Sequence, residues 1–336
     1  MRLLVVGLIT VTALRLLVVP LAADAQPPAK VYRIGVLAGV PRAALPKERP
    51  AASQWNAFIE GLRTHGWIEN ENFVFEFRYT EGKTERAPQL AQELVALSPD
   101  ILVVTLGEPG IRALKEATTT IPIVMLVSND PVGTGLVASL ARPGGNITGM
   151  SILGPGTAGK RLELLRETVP RVTRVAVLWN AAYPGKELEW KETQVAAKTL
   201  GVTLQSVEVK GPADFDAAFR TIARVRPDAL ITFSEPLTLR YQRSIVDFAA
   251  KNRLPTIFET REFADAGGLM TYGASLSDLY RRSATHVNRI LRGSRPADVP
   301  VEQPTKFELV INLKTSRALA LTIPRSVLLR ADQVIE

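Results

Sequence analysis

From residue 33 onward, short apolar runs alternate with stretches whose apolar positions recur at helical spacing. Arg33-Ile34-Gly35-Val36-Leu37 reads as a buried strand, and Trp55, Phe58, Ile59 and Leu62 then mark one helix face that Gly66 ends. Phe73 to Tyr79 alternates as a strand does, and Leu90, Leu94 and Leu97 mark the next helix. Ile101 to Leu106 predicts a buried strand, followed by a helix carrying Ile111 and Leu114. Ile121 to Val127 predicts another strand, with Leu136 and Leu140 expected on the helix after it. A βαβα order of this kind builds a parallel sheet with helices on both faces.

The pattern then restarts. Arg174-Val175-Ala176-Val177-Leu178 repeats the first strand 141 residues on, and Pro99-Asp100-Ile101-Leu102-Val103 returns as Pro227-Asp228-Ala229-Leu230-Ile231. The first ends at Glu108-Pro109 and the second at Glu235-Pro236. Repetition at so long a period points to two similar α/β lobes rather than a solenoid. Arg142 to Gly149 is loop chemistry followed by a strand, suited to a crossover, and the Pro-rich stretch Arg295 to Pro304 suits a further one. Two lobes joined by several crossing strands form a cleft that can close.

The N-terminus follows a different pattern. Arg2 precedes an apolar run from Leu3 to Leu14, and after Arg15 a second run extends to Ala23. Ala23-Asp24-Ala25 offers the small residues that a signal peptidase reads, so residues 1–25 are expected to be a signal peptide cleaved after Ala25. Each run is shorter than the roughly 20 residues that span a bilayer. The chain has no cysteine, which excludes disulfides, thiol chemistry and a lipid-bearing Cys after the signal. An exported protein without that tether is expected in the periplasm. The formal charge is +8, but the basic residues are spread along the chain without an aromatic-interleaved cluster, so no nucleic acid is expected as partner.

Motifs for catalysis and metals are weak. Gly154-Pro155-Gly156-Thr157-Ala158-Gly159-Lys160 matches a phosphate-binding loop for seven positions. Arg161 then stands where a Ser or Thr must hold Mg²⁺. His65 and His286 lie on separate predicted helices without a carboxylate at ligand spacing. No cofactor, metal or enzymatic activity is expected. The informative residues are those at the C-terminal ends of the predicted strands, the edge that faces a ligand in open α/β sheets. They are Gly39, Gly107, Glu108, Ser128, Asn129, Asp130, Asn180, Ser234, Glu235, Glu259, Tyr272 and Gly273. Ser128 and Asn129, ahead of an expected helix N-terminus, suit a ligand carboxylate. Glu108 is expected at the opposite end of the ligand, facing a cation or hydrogen-bond donor.

Several stretches resemble the ABC-transporter substrate-binding proteins that include tryptophan- and tyrosine-binding members. They are Phe58-Ile59-Glu60-Gly61-Leu62, Ser128-Asn129-Asp130-Pro131-Val132-Gly133, the run from Leu140 to Gly149, Ala266 to Gly273, and Gln303 to Asn312. The resemblance covers essentially the whole mature chain. It implies a type I periplasmic-binding fold: α/β, two doubly wound parallel-sheet lobes and a three-crossing hinge. One lobe is expected from residues 31–150 plus about 272–298, the other from 151–271 plus about 299–336. A small-molecule ligand, such as an amino acid or small aromatic or carboxylate solute, and the permease and ATPase of an importer are the implied partners of a monomer. The same fold also serves sensory receptor subunits. Two departures touch the expected cleft. Relatives usually carry Ser or Thr where Glu108 stands, and tend to read Asn-Pro where this chain reads Asn180-Ala181-Ala182-Tyr183-Pro184.

Overall fold

A computed structural model describes residues 30–39, 50–152, 157–183 and 185–336. The expected signal peptide and Gly154 to Gly156 lie outside these residues.

The first half forms β1 (Tyr32–Ala38), α1 (Pro50–Thr64), β2 (Phe73–Tyr79), α2 (Ala87–Ala96), β3 (Ile101–Val104), α3 (Glu108–Ala117), β4 (Ile123–Ser128) and β5 (Ile147–Ser151). The strands make one parallel sheet in the order β2-β1-β3-β4-β5. Because both faces are covered, β1, β3 and β4 are apolar at almost every position.

The second half supplies α4 (Thr157–Thr168), β6 (Arg174–Trp179), α5 (Lys186–Leu200), β7 (Thr203–Glu208), α6 (Phe215–Val225), β8 (Ala229–Thr232), α7 (Pro236–Arg240) and α8 (Gln242–Lys251). It continues with β9 (Thr256–Phe258), α9 (Arg261–Asp265), β10 (Met270–Ala274), α10 (Leu276–Leu291), β11 (Phe307–Asn312) and β12 (Gln333–Ile335). Its seven-stranded sheet runs β12-β11-β10-β9-β8-β6-β7, parallel except where β11 meets β10. The sequence repeat is physical. Asp100 accepts the Arg33 N–H at 2.8 Å, and Asp228 accepts the Arg174 N–H at 2.8 Å, so each acid pins the start of its lobe's leading strand.

The chain crosses between the lobes three times. The first crossing follows β5. The second is at Ser275, because α10 packs Tyr280, Ala284 and Val287 into the first lobe beside Phe58 and Leu62 of α1. Tyr272 and Gly273 therefore stay in the second sheet, paired with Leu309 and Glu308, beyond the boundary expected near 272. The third crossing follows Glu302 rather than 298. Val299 and Val301 are buried in first-lobe clusters, and the Glu302 N–H donates to the Gly149 carbonyl at 3.0 Å. Ser275 N–H to Lys306 O, 3.0 Å, ties the second crossing to the third.

One expected element is absent. Leu136 and Leu140 lie in turns between β4 and β5, not on a helix. Gly135 sits at φ 69°, and the position of a Gly133 Cβ is taken by the Asp130 carboxylate. Leu136 and Val137 are buried all the same, so their spacing reflects packing without helical backbone.

Candidate functional site

The parallel strands of both sheets end toward one another. Between these ends lies a cavity of about 130 Å³, walled from the first lobe by Gly107, Ser128 and Asn129 and from the second by Tyr183, Ser234 and Glu259. Its remaining surface is largely apolar, with Leu106, Val127, Ile152 and Leu276 among the lining residues. Two buried hydroxyls on the wall, Ser234 Oγ and Thr260 Oγ1, have no hydrogen-bond partner within the protein. An unpaired buried hydroxyl costs about 1–3 kcal/mol, so their position marks where a bound molecule is rewarded for polar contact.

Glu108 is the first helical residue of α3, behind Gly107 at φ 71°. Its side chain is buried and turns away from its own helix. Oε1 accepts from Ser128 Oγ at 2.8 Å and from the Asn129 N–H, and Oε2 accepts from Asn129 Nδ2 at 3.1 Å. The fourth donor comes from the other lobe: Tyr183 OH donates to Oε2 at 3.1 Å. Glu108 therefore sits with Ser128 and Asn129, not across the ligand space from them. No helix N-terminus follows Asn129 to add its dipole.

Burial first, and then the negative charge of Glu108, push the Tyr183 hydroxyl well above the ordinary phenol range. Were the lobes to part, water would reach Tyr183 and return it toward the ordinary phenol value of about 10. Above that pH the open form loses a proton that the closed form keeps, so alkali favours opening; below it the balance is unaffected. Each further pH unit should shift the open-to-closed ratio by up to about tenfold. X-ray scattering between pH 8 and 11 should show the radius of gyration growing in the wild type, with Tyr183→Phe flat over the same range. Identical profiles would break the assignment.

Behind the second-lobe wall lies a buried charge network. Arg161 Nη2 pairs with Glu189 Oε1, and Lys186 Nζ reaches Glu189 Oε2 at 2.8 Å and Glu259 Oε2 at 3.2 Å. Arg161 also donates to the Tyr272 carbonyl at 3.2 Å, and the Ser234 N–H to Glu259 at 3.3 Å. Burial alone would depress the Lys186 ammonium, but Glu189 and Glu259 outweigh it and raise it above its ordinary value. Burial would likewise raise Glu259, yet Lys186 and Arg161 hold it low. Lys186 is therefore a fixed cation that aims Glu259 at the cavity's edge.

The other predicted positions have local work. Glu235 caps α7, accepting from the Leu237 and Thr238 N–H groups at 2.9 and 2.8 Å, while burial raises its carboxyl. Asp130 closes a turn on the Gly133 N–H at 2.8 Å, and Asn180 one on the Ala182 N–H at 3.0 Å. Gly39 packs on Leu106 at the end of β1. Tyr272 stacks on Phe307, and Gly273 lines a smaller polar cavity of about 80 Å³ that also touches Glu259. Sequence reasoning missed Tyr183, Thr260, Arg161, Lys186 and Glu189 as residues of the site. Lys186 and Glu189 lie at i,i+3, a spacing that reads as an ordinary surface pair.

Two lobes, three crossings and a cavity at the facing strand ends define a type I periplasmic-binding fold. The sequence profile of the ABC transporter substrate binding protein family matches residues 47–335, and the chain belongs to that family. A tyrosine-binding protein of Clostridioides difficile (strain R20291) is 24% identical over 262 residues, covering 78% of this chain and 75% of the relative. A crystal structure of an ABC domain from Streptococcus pneumonia in complex with L-Trp is 26% identical with a TM-score of 0.83, over 91% of this chain and all of that one. A conserved domain protein from Vibrio cholerae O1 biovar El Tor is 28% identical, also at a TM-score of 0.83 and over the same shares of both chains.

Proposed function

We propose that the chain is the exported solute-binding component of an ABC importer, which captures a small molecule between its lobes and presents the closed form to a permease and ATPase. The signal-like residues 1–25 support export to a periplasm, with cleavage after Ala25. The observation that carries the reading is the interlobe cavity, with Ser234 Oγ and Thr260 Oγ1 unpartnered on its wall. The groups around it bind and orient a solute, and membership of a substrate-binding family supports a carrier whose cargo leaves as it entered rather than an enzyme. Relatives that bind tyrosine and L-Trp make amino-acid-sized solutes the first to try.

The test is a thermal-shift screen of the mature protein against amino acids, aromatic acids and amines, followed by calorimetry. A true cargo at a hundredfold its Kd stabilises the fold by about 2.7 kcal/mol, which raises the melting temperature by roughly 5–10 °C. Conversion of the bound solute to a product, or the absence of any shift across all three classes, would contradict the reading.

A further inference from the structure

The Glu108 carboxylate receives four hydrogen bonds, two on each oxygen, from Ser128, Asn129 and Tyr183. All three donor residues line the interlobe cavity. This donor set is what a bound carboxylic acid requires, and a side chain of the protein already fills it. Helix capping does not explain the arrangement. Glu235, in the matching Glu-Pro of the second lobe, bonds the N–H groups of its own helix, whereas Glu108 reaches across to the loop after β4.

The rest of the cavity points to the complementary charge. The partnerless hydroxyls, Ser234 Oγ and Thr260 Oγ1, belong to the second lobe, beside Glu259. The bonds Glu259 makes to Lys186 and to the Ser234 N–H both fall on Oε2. Around the cleft the buried carboxylates Glu108, Glu189 and Glu235, together with the partly buried Glu259, outnumber the buried cations Arg161 and Lys186. An arriving carboxylate would add like charge to a dry site, and an ammonium would offset the excess.

We propose that Glu108 is a built-in carboxylate that occupies the anion seat of the cleft, so that the cargo is a compact apolar amine without a carboxylate, its ammonium held by Glu259, Ser234 and Thr260. The proposal rests on the reading that the cleft captures a solute. Glu108 then determines specificity twice: it rejects amino acids, and through Tyr183 it gives the two lobes the bridge that a ligand carboxylate would otherwise provide.

Two arms test it. In the first, calorimetry compares wild-type affinity for pairs differing only in the carboxylate: tyrosine and tyramine, tryptophan and tryptamine, leucine and isoamylamine. The amine of the accepted pair should bind at least about tenfold tighter, the size of a lost charged hydrogen bond. Equal or tighter binding of the amino acid overturns the proposal. In the second, Glu108→Ala is melted in sodium acetate and in sodium chloride of equal ionic strength. Acetate should enter the vacated seat and raise the variant's melting temperature by about 2–4 °C over chloride, with no difference in the wild type. Acetate acting as chloride does in the variant overturns the proposal. Should Glu108→Ala fail to fold, Glu108→Gln keeps the shape without the charge. Its amine-to-acid affinity ratio should fall at least about tenfold, and an unchanged ratio overturns the assignment. Were no solute to bind at all, the capture reading would fail and the acetate arm would still decide the seat.

Discussion

Glu189→Ala should lower the melting temperature by roughly 10 °C, the consequence of losing about 3–5 kcal/mol when one partner leaves a buried ion network. The size follows from what remains. Arg161 and Lys186 are both buried to within a few per cent, and both pair with Glu189. Without it, two cations face each other with Glu259 as their shared counter-charge. The substitution leaves a cavity as well, but the charge is the larger effect, so Glu189→Gln should recover little. Glu187→Ala is the control. Glu187 pairs with Lys191 one turn further along the same helix, with both side chains mostly exposed, and its loss should leave the melting curve unchanged. A Glu189→Ala protein as stable as the control would mean that water reaches the network.

Gly107→Ala should weaken capture of the cargo by about tenfold to a hundredfold while the separate lobes stay folded. Gly107 has φ 71° and ψ −157°, a region essentially confined to glycine that costs a residue with a Cβ about 1–3 kcal/mol. The new methyl carbon would also stand 2.7 Å from Tyr183 OH, across the gap between lobes. Either α3 shifts or Tyr183 retreats from Glu108, and both changes act against closure. A double-mutant cycle separates the two causes. Tyr183→Phe removes the atom in collision, so Gly107→Ala should cost less in that background. Equal losses in both backgrounds, measured by calorimetry, would assign the whole effect to backbone strain.

Much of the fold is legible in the sequence because a doubly covered parallel sheet writes its strands as unbroken apolar runs. Asp100 and Asp228 are legible as a repeat because each performs the same local task on the strand beside it. The expected helix at Leu136 and Leu140 fails for a local reason. Gly133, Gly135 and Pro143 favour turns, and the leucines are held by packing against the first-lobe core and by backbone hydrogen bonds from Leu136 N–H to Pro131 O and from Val301 N–H to Leu140 O. The site was legible as a set of strand ends, and Gly107, Ser128, Asn129, Ser234 and Glu259 do meet at one cavity. The role of Glu108 was not, because its donors lie 20, 21 and 75 residues away and one belongs to the other lobe. Arg161 illustrates the same limit. As the residue that spoils a phosphate-loop motif it carries only a negative message in sequence, and the structure shows it as the buried partner of Glu189.

Hydrogen exchange with the best solute from the thermal screen tests the central claim most directly, because it reports both lobes in one measurement. Capture between the lobes predicts simultaneous slowing of exchange at 105–107 and 127–129 in the first lobe and at 234 and 259–260 in the second, amides of the segments that wall the cavity. Slowing confined to one lobe, or located away from these strand ends, would contradict it.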